Sequence, residues 1–248
     1  RSLAALGISP DRSVPRERRR LPAATEPKRH PDNGPFRLFY AGTISETKGV
    51  GDILDAVSAL RHDGHDVRAT IAGQADADWI ARCKASGIQS DIEFLGRIPL
   101  DEVQRQMRAH DAVLVPSRHQ YAEGLPNTLF EALASRTPAI VSDHPAFVQR
   151  LSNRHNALVF KGGDASALAQ AISTLSGDSH LYELISTNSA AALDSLYVGT
   201  EWSEIVRLFI EDPLDTTDWV RPRSIAAIDE RTKSLSDGGF TGDAANSR

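Results

Sequence analysis

Apolar residues fall along this chain in short runs, separated by longer stretches in which they recur every three or four positions. The runs are Phe36–Ala41 (FRLFYA), Val67–Ala72 (VRATIA), residues 92–95 (IEFL), Ala112–Val115 (AVLV), residues 139–141 (AIV) and residues 157–160 (ALVF). Their shortness and near-continuous apolar character predict strands buried on both faces. The intervening stretches predict helices. One follows the turn 42–49 and carries Ile53, Leu54, Val57 and Leu60 on a single face; others cover residues 76–86 and 99–109. Beyond the last strand, residues 164–175 follow an N-cap-like Asp164, and residues 181–196 and 201–210 follow in turn, the last stopped by Asp212-Pro213. Strands alternating with helices fold as a parallel sheet covered on both sides, and right-handed crossovers make it an α/β, doubly wound, Rossmann-like sheet. Ligands of such sheets gather at the C-terminal edge, where the loops after residues 41, 73, 95, 115 and 141 converge.

The ends of the chain lack this rhythm. Residues 1–34, rich in Pro, Arg and small polar residues, predict a linker with at most a short helix at residues 3–6. The sheet domain is expected over residues 35–176, packing helices over 177–212 and a disordered tail over 213–248.

Composition sets bounds on this picture. With 248 residues, 40% of them hydrophobic, and a formal charge of −5, the chain has the make-up of a globular protein with one sizeable domain and flanking segments. The mild acidity argues against nucleic acid as a partner, and the cluster Arg16, Arg18, Arg19 and Arg20 reads as solvated linker. One cysteine, Cys83, excludes an intrachain disulfide and suits a reducing, cytoplasmic compartment. Neither an apolar run of about 20 residues nor a signal-peptide pattern is present, so no membrane span is predicted; peripheral attachment at the inner membrane face stays open. No set of His, Cys, Asp or Glu has metal-ligand spacing, and no metal is predicted.

Candidate chemistry concentrates in residues 121–135, YAEGLPNTLFEALAS. Pro126 suits a first helical turn, so the amides near Gly124, Leu125 and Asn127 sit at a positive helix end able to hold phosphate oxygens. Glu123 precedes that helix and Glu131 lies more than one turn inside it, so the two carboxylates flank the phosphate site. Gly42 ends the first strand where backbone approaches a ligand, and Lys48, just before the next helix, offers a cation. Each residue alone has an ordinary reading: Lys48 as a solvated cation, Glu123 as an acid near a helix start, Glu131 as a solvent-facing helical residue. It is their combination that points to a site.

That combination, a glutamate, seven residues and a second glutamate after an apolar strand and Pro116-Ser117, with Gly42, Lys48 and Gly49 upstream, resembles the retaining GT-B glycosyltransferases of family 4. The resemblance runs from about Arg37 to Ile210. It implies that the chain is the C-terminal half of a GT-B fold, with Glu123 near the donor sugar, Gly124 and Leu125 amides on the distal phosphate and Glu131 on the ribose hydroxyls. It also implies Lys48 on the donor phosphates and the strand end at Gly96 beside the base, with Arg97 stacking there. No cofactor is implied beyond the nucleotide diphosphate sugar itself, the donor substrate. Thr43 departs from the pattern, standing where the family usually has a second phosphate-binding arginine; Arg118 and His119 are candidate substitutes. Ser142, Asp143 and His144 do not form a nucleophile and base, since no elbow surrounds the serine; Asp143 and His144 are expected to cap a helix over residues 145–151.

Residues before Phe36 are too few and too polar to build the acceptor domain of such an enzyme. The expectation is therefore the donor half of a hexosyltransferase, acting with an N-terminal acceptor domain or subunit on a glycan, lipid or small-molecule acceptor. The alternative is a non-catalytic nucleotide-sugar-binding or scaffold module derived from one.

Overall fold

The structure, a computed structural model, describes residues 9–14, 20–197 and 199–230. The predicted helix at residues 3–6, most of the Arg16–Arg20 cluster and residues 231–248 of the predicted tail lie outside them. The chain separates into two compact units: Leu21–Leu196, and the segments on either side of it.

Within Leu21–Leu196, six strands form one parallel sheet: β1 (Phe36–Ala41), β2 (Val67–Ala72), β3 (Ile92–Gly96), β4 (Ala112–Val115), β5 (Ala139–Ser142) and β6 (Leu158–Phe160). Their order across the sheet is β3-β2-β1-β4-β5-β6, with Leu38 beside both Ala69 and Ala112. The chain moves outward from β1 in one direction through β3, then returns to place β4 on its other side. This doubly wound order opens a crevice between the C-terminal ends of β1 and β4, where successive connections leave in opposite directions.

Helices α1 (Val50–His62), α2 (Ala77–Ala85), α3 (Leu100–Ala109), α4 (Asn127–Ser135), α5 (Pro145–Val148), α6 (Ala165–Gly177) and α7 (Ser179–Leu196) cover the sheet. Every residue of β4 and β5 is buried, as their unbroken apolar sequence requires. On one face Leu38, Tyr40, Ile71 and Leu114 pack with Ile53, Leu54 and Val57 of α1 and with Leu168 and Ile172 of α6. Each such side chain contributes roughly 1.5–3 kcal/mol by leaving water. Asp76 caps α2 by accepting from the amides of Asp78 and Trp79, and Asp164 caps α6 by accepting from Ala167.

Two expectations are corrected here. The segment from Leu21 to Gly34 is no loose linker: the Ala24 amide donates to the Ala134 carbonyl at 2.7 Å, the Lys28 amide to Ser186 Oγ at 2.6 Å and His30 Nε2 to the Ser176 carbonyl at 2.8 Å. Lys28 Nζ donates to the carbonyls of Arg108 and His110, with Asp111 3.9 Å away. Pro and polar residues hid this strap because its bonds are made by backbone and by one buried cation, neither of which leaves an apolar period.

The second correction concerns the chain after α7. Helix α8 (Trp202–Glu211) lies in the second compact unit and buries none of its residues, with Trp202, Phe209 and Ile210 more than half exposed. Past it the described residues turn back on themselves and include a short 3-10 helix, Arg221–Arg223. The Asp212 carboxylate accepts from the amides of Thr216 and Thr217, which pull its pKa down to about 2. Trp219 is buried and donates to the Asp212 carbonyl, and Arg223 pairs with Glu204.

Two measurements test this packing. The Tyr182 hydroxyl is buried with no partner among the described residues, so Tyr182→Phe should leave stability unchanged or raise it by up to about 1 kcal/mol in urea unfolding; a comparable loss would contradict the packing. Burial lowers the pKa of Lys28 to about 8, with Asp111 opposing part of that shift. The native state carries the cost of the charged amine below that value, while the unfolded chain holds its proton up to about 10.5. Stability should therefore rise as pH climbs from about 8 towards 10, and Lys28→Met should flatten that rise.

Candidate functional site

The loops leaving β1 and β4 meet across the crevice. Gly49 caps α1 in the left-handed region at φ 75°, and a Cβ there would overlap the Pro116 carbonyl. Only glycine lets the two loops come this close. A Cβ on Gly73, at the end of β2, would likewise strike the Gly42 carbonyl. The Arg118 amide donates to the Thr47 carbonyl at 2.9 Å, and Thr128 Oγ1 ties the first turn of α4 to the Ala41 carbonyl at 2.9 Å.

Lys48 and Glu123, 75 positions apart in sequence, become an ion pair through this approach. Ser117 Oγ donates to the same Glu123 oxygen, Oε2, at 2.8 Å, and the Ser117 carbonyl in turn accepts from Ser142 Oγ at 2.6 Å. The Tyr121 ring covers Lys48, its centroid 4.1 Å from Nζ. These groups border a small cleft of about 50 Å³ whose walls include Tyr40, Lys48, Ser117, Glu123, Pro126 and Thr128. Pro126 is the N-cap of α4, one position before the first helical turn expected of it, and that turn carries no acidic residue of its own, so the positive end of the helix dipole faces the cleft beside Glu123.

A larger cavity of about 420 Å³ shares Ala41, Gly42 and Thr128 with this cleft. Its walls include Thr43 and Ile44 of the β1 loop, Gly73 and Gln74 after β2, Arg97 and Ile98 after β3, and Asn127 and Glu131 of α4. The volume is that of a small-molecule site. Glu131 is half-buried on this wall rather than turned to solvent, and burial raises its pKa above the ordinary carboxylate value. Gly96 ends β3 at φ 67° with its carbonyl accepting from the Gly73 amide, so the strand end meets the cavity through Arg97 and Ile98 instead. Gly124 and Leu125 join Glu123 to Pro126 at the mouth; a Cβ on Gly124 would meet nothing within 4 Å. Thr43 turns its carbonyl to the Tyr40 hydroxyl at 2.6 Å, and burial raises the pKa of that phenol.

The cations proposed to replace an arginine at position 43 are otherwise engaged. Arg118 grips Asp52, a buried residue of α1, through two bonds of 3.0 and 2.6 Å, and reaches Glu46 at 3.2 Å. Arg82 holds the other side of Glu46, at 2.5 Å, together with Asp55. Stripping a buried carboxylate of its partner costs about 3–5 kcal/mol, whereas a charge-assisted phosphate contact returns about 1.5–3 kcal/mol. Arg118 thus stays with Asp52 and fixes the Lys48 loop. His119 donates to Asp143 at 2.8 Å; the Gly162 amide and His119 hold that carboxyl below its usual range against the opposing effect of burial. His144, not Asp143, caps α5, its Nδ1 accepting from the Ala146 amide while Nε2 donates to the Tyr121 carbonyl.

Thr128, Gln74, Asp52 and the Tyr40 hydroxyl carry no signal in the sequence, and Ser117 enters it without a role, as the last residue of the Pro-Ser pair after β4. The others are brought to the crevice by pairings between distant segments.

Comparison with known proteins gives the fold and the family. The phosphatidyl-myo-inositol mannosyltransferase of Mycobacterium leprae is 28% identical over 189 residues, covering 76% of this chain and 50% of that protein. The first curated relatives are matched over half their length or less. Among solved structures, the C-terminal domain of a glycosyl transferase group 1 family protein (LpcC) from Francisella tularensis superposes with a TM-score of 0.58 at 24% identity, over 66% of this chain and 86% of that one. Anabaena Alr3699/HepE, solved in complex with UDP, superposes with a TM-score of 0.60 at 17% identity, over 82% of this chain and 49% of that one. The six-stranded order and flanking helices are those of GT-B C-terminal domains. Since the family description "Glycosyl transferases group 1" matches residues 35–178, from the start of the sheet through α6, the chain belongs to that glycosyltransferase family.

Proposed function

We propose that this chain is the donor-binding half of a retaining, family 4 glycosyltransferase, taking a hexose-type sugar from a nucleotide diphosphate sugar. The observation that carries the reading is that the 420 Å³ cavity, with Glu131 on its wall, lies next to the cleft lined by Lys48, Glu123 and Pro126 and shares Ala41, Gly42 and Thr128 with it. The cavity has the size for a nucleoside, with Glu131 accepting from ribose hydroxyls and Arg97 and Ile98 beside the base. The diphosphate lies in the cleft against Lys48 and the helix amides around Gly124, Leu125 and Asn127, as the positive end of the helix dipole favours. Glu123, pinned by Ser117, orients the sugar.

Transfer then proceeds on the front face: the bond from the anomeric carbon to the phosphate oxygen breaks as an acceptor hydroxyl bonds to the same face of that carbon and passes its proton to the departing diphosphate, whose charge Lys48 and the helix end stabilise. The acceptor, a glycan, lipid or small molecule, is supplied against a partner domain or subunit. The UDP complex of the HepE neighbour supports a nucleotide donor, and cytoplasmic activated sugars fit a protein with one buried free cysteine. Among the described residues no helix is long and apolar enough to cross a membrane. A non-catalytic sugar-nucleotide module is the second reading, favoured by one observation: Thr43 stands where the family usually has a second phosphate-binding cation, and Arg118, beside the Lys48 loop, is locked to α1.

The chain should bind at least one of UDP, GDP and ADP in calorimetry. Lys48→Ala should weaken that binding about 10- to 100-fold and Glu131→Ala about tenfold, in line with the loss of one charge-assisted contact each. Unchanged affinity in Glu131→Ala would remove it from the ribose site; no binding of any nucleotide would end the donor-half reading.

A further inference from the structure

The Lys48–Glu123 pair has a consequence for how a ligand is admitted. The same ammonium group that the cleft offers to a diphosphate is bonded to Glu123 Oε2, and the side chains are only 14% and 9% exposed. A phosphate entering beside Pro126 and Thr128 meets a cation already neutralised. The other cation beside the Lys48 loop, Arg118, is locked to Asp52 and Glu46 and cannot take over. Glu123, by contrast, has a second donor on the same oxygen: Ser117 Oγ, on a buried residue whose backbone carbonyl accepts from Ser142 Oγ. The carboxylate therefore keeps its place when Lys48 leaves, which Asp52 would not.

We infer that Lys48 is exchanged between Glu123 and the donor diphosphate, making the pair a specificity determinant: only a ligand carrying the diphosphate draws Lys48 away and releases the Glu123 carboxylate to the sugar hydroxyls. A ligand without phosphates finds that carboxylate occupied. The exchange lowers diphosphate affinity by the strength of the pair it breaks, and in return couples sugar orientation to phosphate binding. No covalent step is involved; the ammonium moves from one anion to another with its charge and protons unchanged. This inference rests on the proposed donor site.

A double-mutant cycle tests it, with Lys48→Ala and Glu123→Gln made singly and together. Affinity is read by calorimetry, or by magnetic resonance titration where binding is weak, using whichever of UDP, GDP and ADP binds the wild type most tightly, and its parent nucleoside. Glutamine keeps the side-chain shape and the acceptor for Ser117 while removing the charge. Exchange predicts that Glu123→Gln tightens nucleotide binding about three- to tenfold when Lys48 is present, recovers nothing in the Lys48→Ala background, and leaves nucleoside affinity unchanged. An equal gain in both backgrounds means that Glu123 acts only by repelling phosphate, and it overturns the exchange. So does the lack of any gain, or an equal gain for the nucleoside. If the wild type binds none of the three nucleotides, the donor site itself falls; if it binds but the cycle fails, the exchange alone is lost.

Discussion

Everything at this site depends on how closely the β1 loop approaches the β4 loop across the switch point. The contact is made by backbone: Gly49 lies against Pro116 with no room for a Cβ, and the Arg118 amide bonds the Thr47 carbonyl. Because the sheet order places β1 and β4 side by side, residues 48 and 123 can share an ion pair. A bulkier residue at position 49 would push the loops apart and separate the two halves of the chemistry before any functional side chain was touched. The glycine thus belongs to the site as much as the lysine beside it.

The charges around this contact are divided by role. Arg118, Asp52, Glu46, Arg82 and Asp55 form a network that fixes the Lys48 loop to α1 and α2 and is spent on structure. Lys48 and Glu123 form a separate pair facing the cleft, with Ser117 as a third member. Magnitude separates the two groups. Asp52 is almost fully buried and would be left without its cation, whereas Glu123 retains a hydroxyl donor and borders open space where ligand groups can replace what it loses. The arginines of that network are thus committed to structure, and Lys48 is the cation that lines the cleft with Glu123.

A third layer of bonds lies behind the carboxylate. Ser142 at the end of β5 holds the Ser117 carbonyl, and His144 at the start of α5 holds the Tyr121 carbonyl. The turn bearing Glu123 is thus anchored to the neighbouring strand and helix rather than left as a free loop. A nearby Ser-Asp-His run that could be mistaken for catalytic machinery supplies scaffolding, with Asp143 engaged by His119 and the Gly162 amide.

The sequence by itself determined the six strands, their alternation with helices and the parallel class of the sheet, because long apolar periods depend on local geometry and burial alone. It also marked Lys48, Glu123 and Glu131 as a set, because motif spacing on one loop and one helix survives as a linear pattern. Only the tertiary structure decided which cations are available, which carboxylates are spent and which hydroxyl steadies Glu123, since Asp52 and Arg118 are 66 positions apart and no period records their meeting. The same limit applied at the ends. The strap from Leu21 to Gly34 is held by carbonyls and a buried ammonium, and Asp212 ties down Thr216, Thr217 and Trp219 after α8, interactions that polar composition hides. Hydrophobic burial is written in residue order, but the pairing of buried polar groups exists only once the chain has folded.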